Sequence, residues 1–338
     1  MAVSIANRLD QPLLLVLLAD GRLHSGEWLA QELKVSRAAV WKGVERLRAL
    51  GVEVQALPRR GYRLSDPVEL LDVLRIGALL GSQRKARVRT LELLFDVDST
   101  NTRLLGNAPP PPGQADVCLC ELQHAGRGRR GRRWIAPFGA GVALSVAWTF
   151  SDGARSLPAL SLAVGVAISR ALSRAGARGV KLKWPNDIWF QDRKIGGVLI
   201  ELRAEASGPA HVVVGVGVNV ALPVGARREI EAGAGRVAAV ADACAAPPSR
   251  NLVAGAILDE LLSMLEQFER EGFAAFRDAW TVLDALSGRP ARVLLAETII
   301  FGTARGVDQD GALLLDTGER VQRFVSGEVS VRVIEGDT

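Results

Sequence analysis

The chain has 338 residues, with 42 lysines and arginines against 37 aspartates and glutamates, a formal net charge of +5. Hydrophobic residues make up 48% and charged residues 23%, a globular balance that excludes global disorder and supplies a sizeable core. Length predicts two or three domains at about 150 residues each, and no apolar run approaches the ~18 residues that cross a bilayer.

The first segment reads as a small helical domain. Leu13 to Ala19 is an apolar helix closed by Asp20-Gly21. Ser25 caps a second helix from Gly26 to about Leu33, and Ser36 caps a third that ends before Gly51. Val40, Val44 and Leu47 recur at helical spacing and predict one buried stripe. Arg37, Ala38, Trp41, Lys42 and Glu45 fall off that stripe and face outward. Val52 to Val54 and Tyr62 to Leu64 then flank a basic turn, Pro58-Arg59-Arg60-Gly61. Two short helices, a tight turn and a hairpin with a basic tip make a winged helix-turn-helix. Its expected DNA-binding residues are Ser36, Arg37, Ala38, Trp41, Lys42, Arg59 and Arg60. Residues 1–66 carry ten basic and seven acidic side chains, so bulk charge alone does not establish nucleic-acid binding.

Asp66-Pro67 breaks the chain. A helix is predicted from Val68 to about Leu80, then a basic stretch from Ser82 to Arg89, so 67–89 reads as a linker with a helix. The region 90–285 alternates strands and helices. Strands are predicted over Leu91–Val97, Asp116–Leu122, Val142–Phe150, Val180–Trp184, Ile195–Leu202 and Val212–Val220. Helices are predicted over Ser156–Arg174, Leu252–Glu271 and Phe273–Asp284. Pro109–Pro112 and Pro247-Pro248 mark loops. From about 286 to 338 short strands separated by Asp310-Gly311 and Thr317-Gly318 predict a small β-barrel. Cys118, Cys120 and Cys244 lack metal-ligand spacing, imply no disulfide framework, and fit a reducing cytoplasm. The start of the chain shows no secretory pattern.

Five arginines and three glycines fill Gly126 to Trp134. The literal G-x-G-x-x-G suggests a dinucleotide fingerprint, but no helix opens after Gly131, and Trp134, Pro137 and Gly139 lead into another strand. An arginine-rich nucleic-acid tract is a second reading, yet this tract lies between core strands. A loop whose glycines admit close approach and whose arginines fork onto an anion fits better. Such a loop repels itself until a ligand neutralises it, and its closure excludes water.

Only six basic residues are lysine, and three of them, Lys181, Lys183 and Lys194, lie within fourteen positions. Lys183-Trp184-Pro185-Asn186-Asp187 ends a strand with a cation, a ring-fixed turn and two polar side chains. An Asx-type turn is the structural reading, and a lysine pointing into a cleft is the functional one. Lys194-Ile195-Gly196-Gly197 pairs a lysine with glycines that mark a bulge or close ligand approach. Asn219, in the apolar run Gly215 to Val220, needs a partner, either backbone or nucleotide. Ser99, in Asp98-Ser99-Thr100-Asn101-Thr102, either caps a helix or meets a ligand's polar ring. His24, His124 and His211 are scattered, so no triad or metal cluster is expected, and any divalent ion arrives with a nucleotide.

At these segments the chain resembles the bifunctional biotin–protein ligases that double as repressors of the biotin operon. The resemblance spans nearly the whole chain. It implies an α+β protein: a winged helix at 1–66, a class II synthetase-like mixed α/β ligase domain at 90–285, and an SH3-like barrel at 286–338. It implies activation of biotin with ATP and Mg²⁺ to biotinyl-5′-AMP, then transfer to a lysine of biotin carboxyl carrier protein. It further implies a cytoplasmic protein that dimerises when adenylate-bound and uses that adenylate as co-repressor on operator DNA. Carried over residue by residue, Ser99, Thr100, Asn101, Gln123, Arg127, Gly128, Arg129 and Lys183 would bind biotin. Lys183, Arg127 and Arg129 would be catalytic, and Arg129, Arg130, Trp134, Asn186, Lys194 and Asn219 would serve the nucleotide. Glu328 and Arg332 match barrel positions that reach toward the ligase site. The alternatives are a ligase with a vestigial DNA-binding domain and a biotin-sensing repressor without ligase activity. Trp41, bulky and outward, departs from the family and puts the operator sequence in question.

Overall fold

The computed structural model describes residues 13–151, 157–204, 209–295, 298–325 and 329–333. The first module holds α1 (Leu13–Leu18), α2 (Gly26–Glu32), α3 (Arg37–Ala49) and the hairpin β1 (Val54–Leu57) and β2 (Gly61–Leu64). Ser25 and Ser36 cap as the sequence predicts: their hydroxyls accept from the N–H groups of Trp28 and Ala39. Val40, Val44 and Leu47 are buried against Leu15, Leu18 and Leu29, one stripe closing one small core. At the tip of the wing Arg59 takes a left-handed conformation, φ 61°. Gly61 is needed at the other end of that turn, because a Cβ there would meet the His24 carbonyl at 1.9 Å.

The predicted helix at 68–80 is only partly right. The chain stays extended to Asp72, which caps α4 (Val73–Ala78), and α5 (Ser82–Arg87) is separate. The reason is that side chains capture the backbone: Leu71 N–H donates to Glu121 and Asp72 N–H to Asn251. Glu69 in turn accepts from Ser249, the Arg250 N–H and Asn251. Arg250 completes the clamp by donating to Glu121 Oε2 at 2.9 Å, both side chains being buried. Leu71, Val73, Ile76 and Leu80 join the ligase-domain core, so the supposed linker is part of that core.

The central sheet has seven strands: β3 (Val88–Val97), β4 (Ala115–Gln123), β5 (Gly141–Phe150), β6 (Lys181–Lys183), β7 (Asp187–Phe190), β8 (Arg193–Ala204) and β9 (Ala210–Asn219). Their order is β3-β4-β5-β9-β8-β7-β6; only β3 and β4 are parallel. α6 (Thr100–Leu105), α7 (Leu160–Arg174), α8 (Val224–Ala234), α9 (Arg250–Glu271) and α10 (Ala274–Leu283) complete the domain. Leu144, Val146 and Trp148 bury one face of β5 in the cluster built on α7 and α9. α6 covers the other face, over Cys118, Ala147 and Val213. The sequence did not predict β7 or α8, and Ser156, its start for α7, lies outside the described residues.

The last module is an antiparallel sheet of β10 (Pro290–Leu295), β11 (Thr298–Val307), β12 (Leu313–Asp316), β13 (Val321–Phe324) and β14 (Val329–Val333). Its order is β13-β12-β11-β10-β14. The expected small β-module is thus present as an antiparallel sheet, in which β13 and β14 are not paired among the described residues. It is tied to the strand carrying Lys183: Ala285 N–H donates to the Leu182 carbonyl, and the Trp184 indole donates to Gly311 O at 3.0 Å. Arg332 stands opposite Arg292 in the β10–β14 pair, and Glu328 lies outside the described residues.

Candidate active site

A cavity of about 760 Å³ opens on the α6 face of the sheet. Its floor is Gly215 and Gly217 of β9, its walls come from α6, the arginine loop, the segment after β6, and β8, and residues 230–237 close one side. The glycines are required by close packing. A Cβ on Gly215 would stand 2.3 Å from Asn101 Oδ1, and one on Gly217 would stand 2.5 Å from the Trp134 ring.

The arginine loop is a small hairpin, not a dinucleotide turn. Trp134 N–H donates to Gly126 O at 2.8 Å and Gly128 N–H to Arg132 O at 2.7 Å. Arg130 turns the tip with φ 60°, helped by Gly131 at φ 70°. The backbone thus has its own ladder; the self-repulsion expected of five arginines bears on the side chains.

At one end of the cavity the polar groups are neutral. Gln123 Oε1 accepts from Thr100 N–H at 2.9 Å and Thr100 Oγ1 at 3.2 Å. The Ser145 hydroxyl lies 2.6 Å from both Thr100 Oγ1 and Asn101 Oδ1. Ser99 is buried at the start of α6, but its side chain does not cap that helix. The amide of Asn101 donates to Glu201 and to Leu199 O, so Asn101 shapes the site from beneath.

At the other end lie the cations. Lys183 is buried, with Nζ 4.6 Å from the centre of the Trp189 ring, where a cation meets the negative π face. Lys194 Nζ is 2.6 Å from Asp187 Oδ1 and 5.7 Å from the Trp134 ring. Arg129 donates to Asn186 Oδ1 at 3.4 Å, while Asn186 Nδ2 donates to Val198 O at 2.7 Å. Burial pushes the Arg129 pKa below the usual arginine value, Asp187 opposes this, and Arg132 and Arg130 add repulsion. Its Nη2 is buried without a hydrogen-bond partner, as is Trp134 Nε1. Both residues line the cavity, and a ligand rich in acceptor oxygens would match two orphaned donors.

All thirteen residues expected at the biotin and nucleotide sites line this cavity. Asn219 does so with its Nδ2 donating to Ala238 O at 3.1 Å, so its partner is backbone. Asp187 opens β7 and so is no simple turn residue. Sequence reasoning missed Ser145, Trp189 and Glu201. A carboxylate inside the apolar run of β8 was the available signal for Glu201. Cys118 and Cys120 offer no nucleophile: burial, with Glu92 adding to it, pushes the Cys118 thiol up to about 12. No group of three or more metal-ligating side chains occurs among the described residues.

The expected DNA-binding residues stay apart from the cavity. Arg37, Ala38, Trp41, Lys42, Arg59 and Arg60 are exposed on α3 and the wing, and Ser36 is spent on its cap. No helix among the described residues is long and apolar enough to cross a membrane.

Three family models match: an HTH domain at residues 8–63, the biotin/lipoate A/B protein ligase family at 95–219, and the biotin protein ligase C-terminal domain at 286–332. The bifunctional ligase/repressor BirA of Escherichia coli K12 is 38% identical over 322 residues, covering 95% of this chain and 97% of that protein. The Bacillus subtilis bifunctional ligase/repressor BirA is 28% identical over 323 residues, with 93% and 95% covered. Among solved structures, the biotin protein ligase from Aquifex aeolicus in complex with biotin and ATP aligns with a TM-score of 0.60 at 27% identity. It covers 72% of this chain and 99% of that one. A winged helix, a glycine-floored cavity ringed by arginine and lysine, and a closing β-module thus agree with sequence along almost the entire length: the chain belongs to the family of bifunctional biotin–protein ligase/repressors.

Proposed function

We propose that the cavity joins biotin to AMP and hands the biotinyl group to a lysine of a biotin carboxyl carrier protein. A biotin carboxylate oxygen attacks the α-phosphorus of MgATP, and pyrophosphate leaves. The acceptor lysine's amine then attacks the carbonyl carbon of the resulting anhydride, and AMP leaves. The observation that carries this reading is Arg129, half-buried beside Asn186 with a buried Nη2 that has no hydrogen-bond partner, in the same cavity as Lys183. Both steps build charge on transferring oxygens, and cations fixed in a half-buried site stabilise that charge more than the ground state.

In this reading the ring of biotin lies at the neutral end, against Ser99, Thr100 and Gln123, with Asn101 beneath. The loop from Arg127 to Arg129 closes over biotin and the adenylate phosphate, with Arg127 at the biotin end, and Lys183 faces the carboxylate and reacting phosphate oxygens as a point charge. Trp134, Arg130, Asn186, Lys194 and Asn219 face the nucleotide. Mg²⁺ enters as part of MgATP. Purified protein with ATP, biotin and a carrier domain is expected to biotinylate the carrier; rejection of biotin with acceptance of lipoate would overturn the reading. Lys183→Arg separates charge from shape: full adenylation by that variant would remove the role given to Lys183.

The same adenylate would act as co-repressor, favouring a dimer whose α3 helices and wings read operator DNA. The exposed basic face of α3 supports this half, as do the free cysteines for a cytoplasmic protein. Gel shift on the promoter of the organism's own biotin genes, with and without biotin and ATP, tests it. Binding unchanged by the ligands would remove the co-repressor claim.

A further inference from the structure

Glu201 has no part in the chemistry above, and it does not itself line the cavity. It lies on β8, opposite Val213 of β9, on the face that forms the cavity floor. One oxygen, Oε2, accepts from Asn101 Nδ2 at 2.8 Å and from Arg127 Nη2 at 2.9 Å. Asn101 passes the connection on through Ser145 to Thr100 and so to Gln123. A single carboxylate therefore joins the loop's first arginine to the neutral end of the cavity.

The pairing also sorts charge along the cavity. Arg127 is held by Glu201 and Lys194 by Asp187. Arg129 makes no carboxylate bridge among the described residues; its hydrogen bond goes to an amide oxygen. Arg129 thus keeps more of its charge for a ligand than Arg127 or Lys194 does, and phosphate is placed there by the reading above. The Arg127–Glu201 pair is too exposed for stability to explain it, since Arg127's side chain is 43% exposed and such pairs are worth about 0–1 kcal/mol.

We propose that Glu201 is a positioning residue of the ligase: an internal counter-anion that holds Arg127 over the biotin end and orients Asn101 beneath it. This rests on the ligase reading. Glu201→Gln keeps an oxygen for Asn101 but gives up the charge that holds Arg127. Its biotin KM is expected to rise roughly tenfold, with the adenylation kcat within about twofold, because a charge-assisted bond is lost away from the reacting atoms. In an Arg127→Ala background the same substitution is expected to change biotin KM by less than about twofold, the coupling having gone.

The measurement is pyrophosphate exchange at varied biotin, with calorimetry of biotin binding without ATP and a melting curve for each variant. Wild-type protein that does not bind biotin would defeat the ligase reading itself. Wild type that binds, with Glu201→Gln unchanged in KM, would overturn the role of Glu201 alone. An equal effect in the Arg127→Ala background would do the same. Should Glu201→Gln fail to fold, Arg127→Lys approaches the pair from the other side. That variant keeps the charge and loses the fork, and a biotin KM unchanged from wild type would count against the proposal.

Discussion

The indole of Trp134 lies directly over Gly217, filling the space a side chain there would need. Gly217→Ala is therefore expected to displace the indole while leaving the sheet intact, since Gly217 has ordinary strand geometry opposite Ala143. The nucleotide should lose a stacking wall, and the KM for ATP should rise about tenfold while biotin binding changes little, given that an aromatic stack contributes roughly 1–3 kcal/mol. Parallel titration of ATP and biotin in the exchange assay separates the two.

Arg129→Ala removes a half-buried cation whose hydrogen bond, among the described residues, goes to an amide oxygen. The protein should fold about as well as wild type, because the partly desolvated charge that is lost has no carboxylate bridge among the described residues. Adenylation is expected to fall about a hundredfold, the usual loss when one preorganised donor to developing charge is removed. Melting temperature and initial exchange rate, measured on one preparation, check both halves.

The carboxyl of Asp284 sits at the junction between α10 and the last module. Burial pushes its pKa from 3.8 to about 6, against the N–H groups of Leu286 and Ser287 and the Lys181 charge. The folded state therefore takes up a proton that the unfolded state does not, and stability falls as pH rises from about 4 to about 6. Asp284→Asn keeps an oxygen for Leu286 N–H and removes the buried charge. It should raise stability at pH 7 by up to about 3 kcal/mol, with the gain gone below pH ~4. Melts across that range read the crossing.

Breaking the clamp between the 69–72 segment, β4 and α9 should be costly. Glu121 and Arg250 are buried, and Arg250 also donates to Gly141 O and Glu69 O. Glu121→Ala leaves that guanidinium short of its carboxylate, and a loss of about 3–5 kcal/mol is expected from denaturant unfolding.

Trp41 is 54% exposed on α3. Trp41→Ala should leave the melting temperature and ligase rate unchanged, while operator affinity in a gel shift falls by roughly tenfold, as for loss of one base contact of about 1–3 kcal/mol. Unchanged affinity would show that the indole does not meet DNA.

Local rules read most of this molecule. Caps, turns and periodicity located α3 and the wing, and apolar strand patterns located six of the seven strands of the central sheet, because each depends on neighbours within a few residues. They failed where distant groups intervene. The segment 68–72 has a helix-favouring sequence, but Glu121 and Asn251 claim the N–H groups of Leu71 and Asp72 from 50 and 179 residues away. β7 is four residues long and exists only because β8 and β6 flank it. The site was legible as residue types, since arginine, lysine and glycine are dense in short segments. Their division into paired and unpaired charges was not, because Glu201 and Asp187 are matched to Arg127 and Lys194 only by folding.

The bond from the Trp184 indole to Gly311 bears on how this protein can be cut down for use as a labelling tool. A truncation before residue 286 would remove the acceptor of that N–H and strip β6 of a supporting wall one residue from Lys183. Such a fragment should lose adenylation as well as carrier transfer. Conversely, the excised module added back in trans should restore some of each, making the two pieces the halves of a complementation reporter.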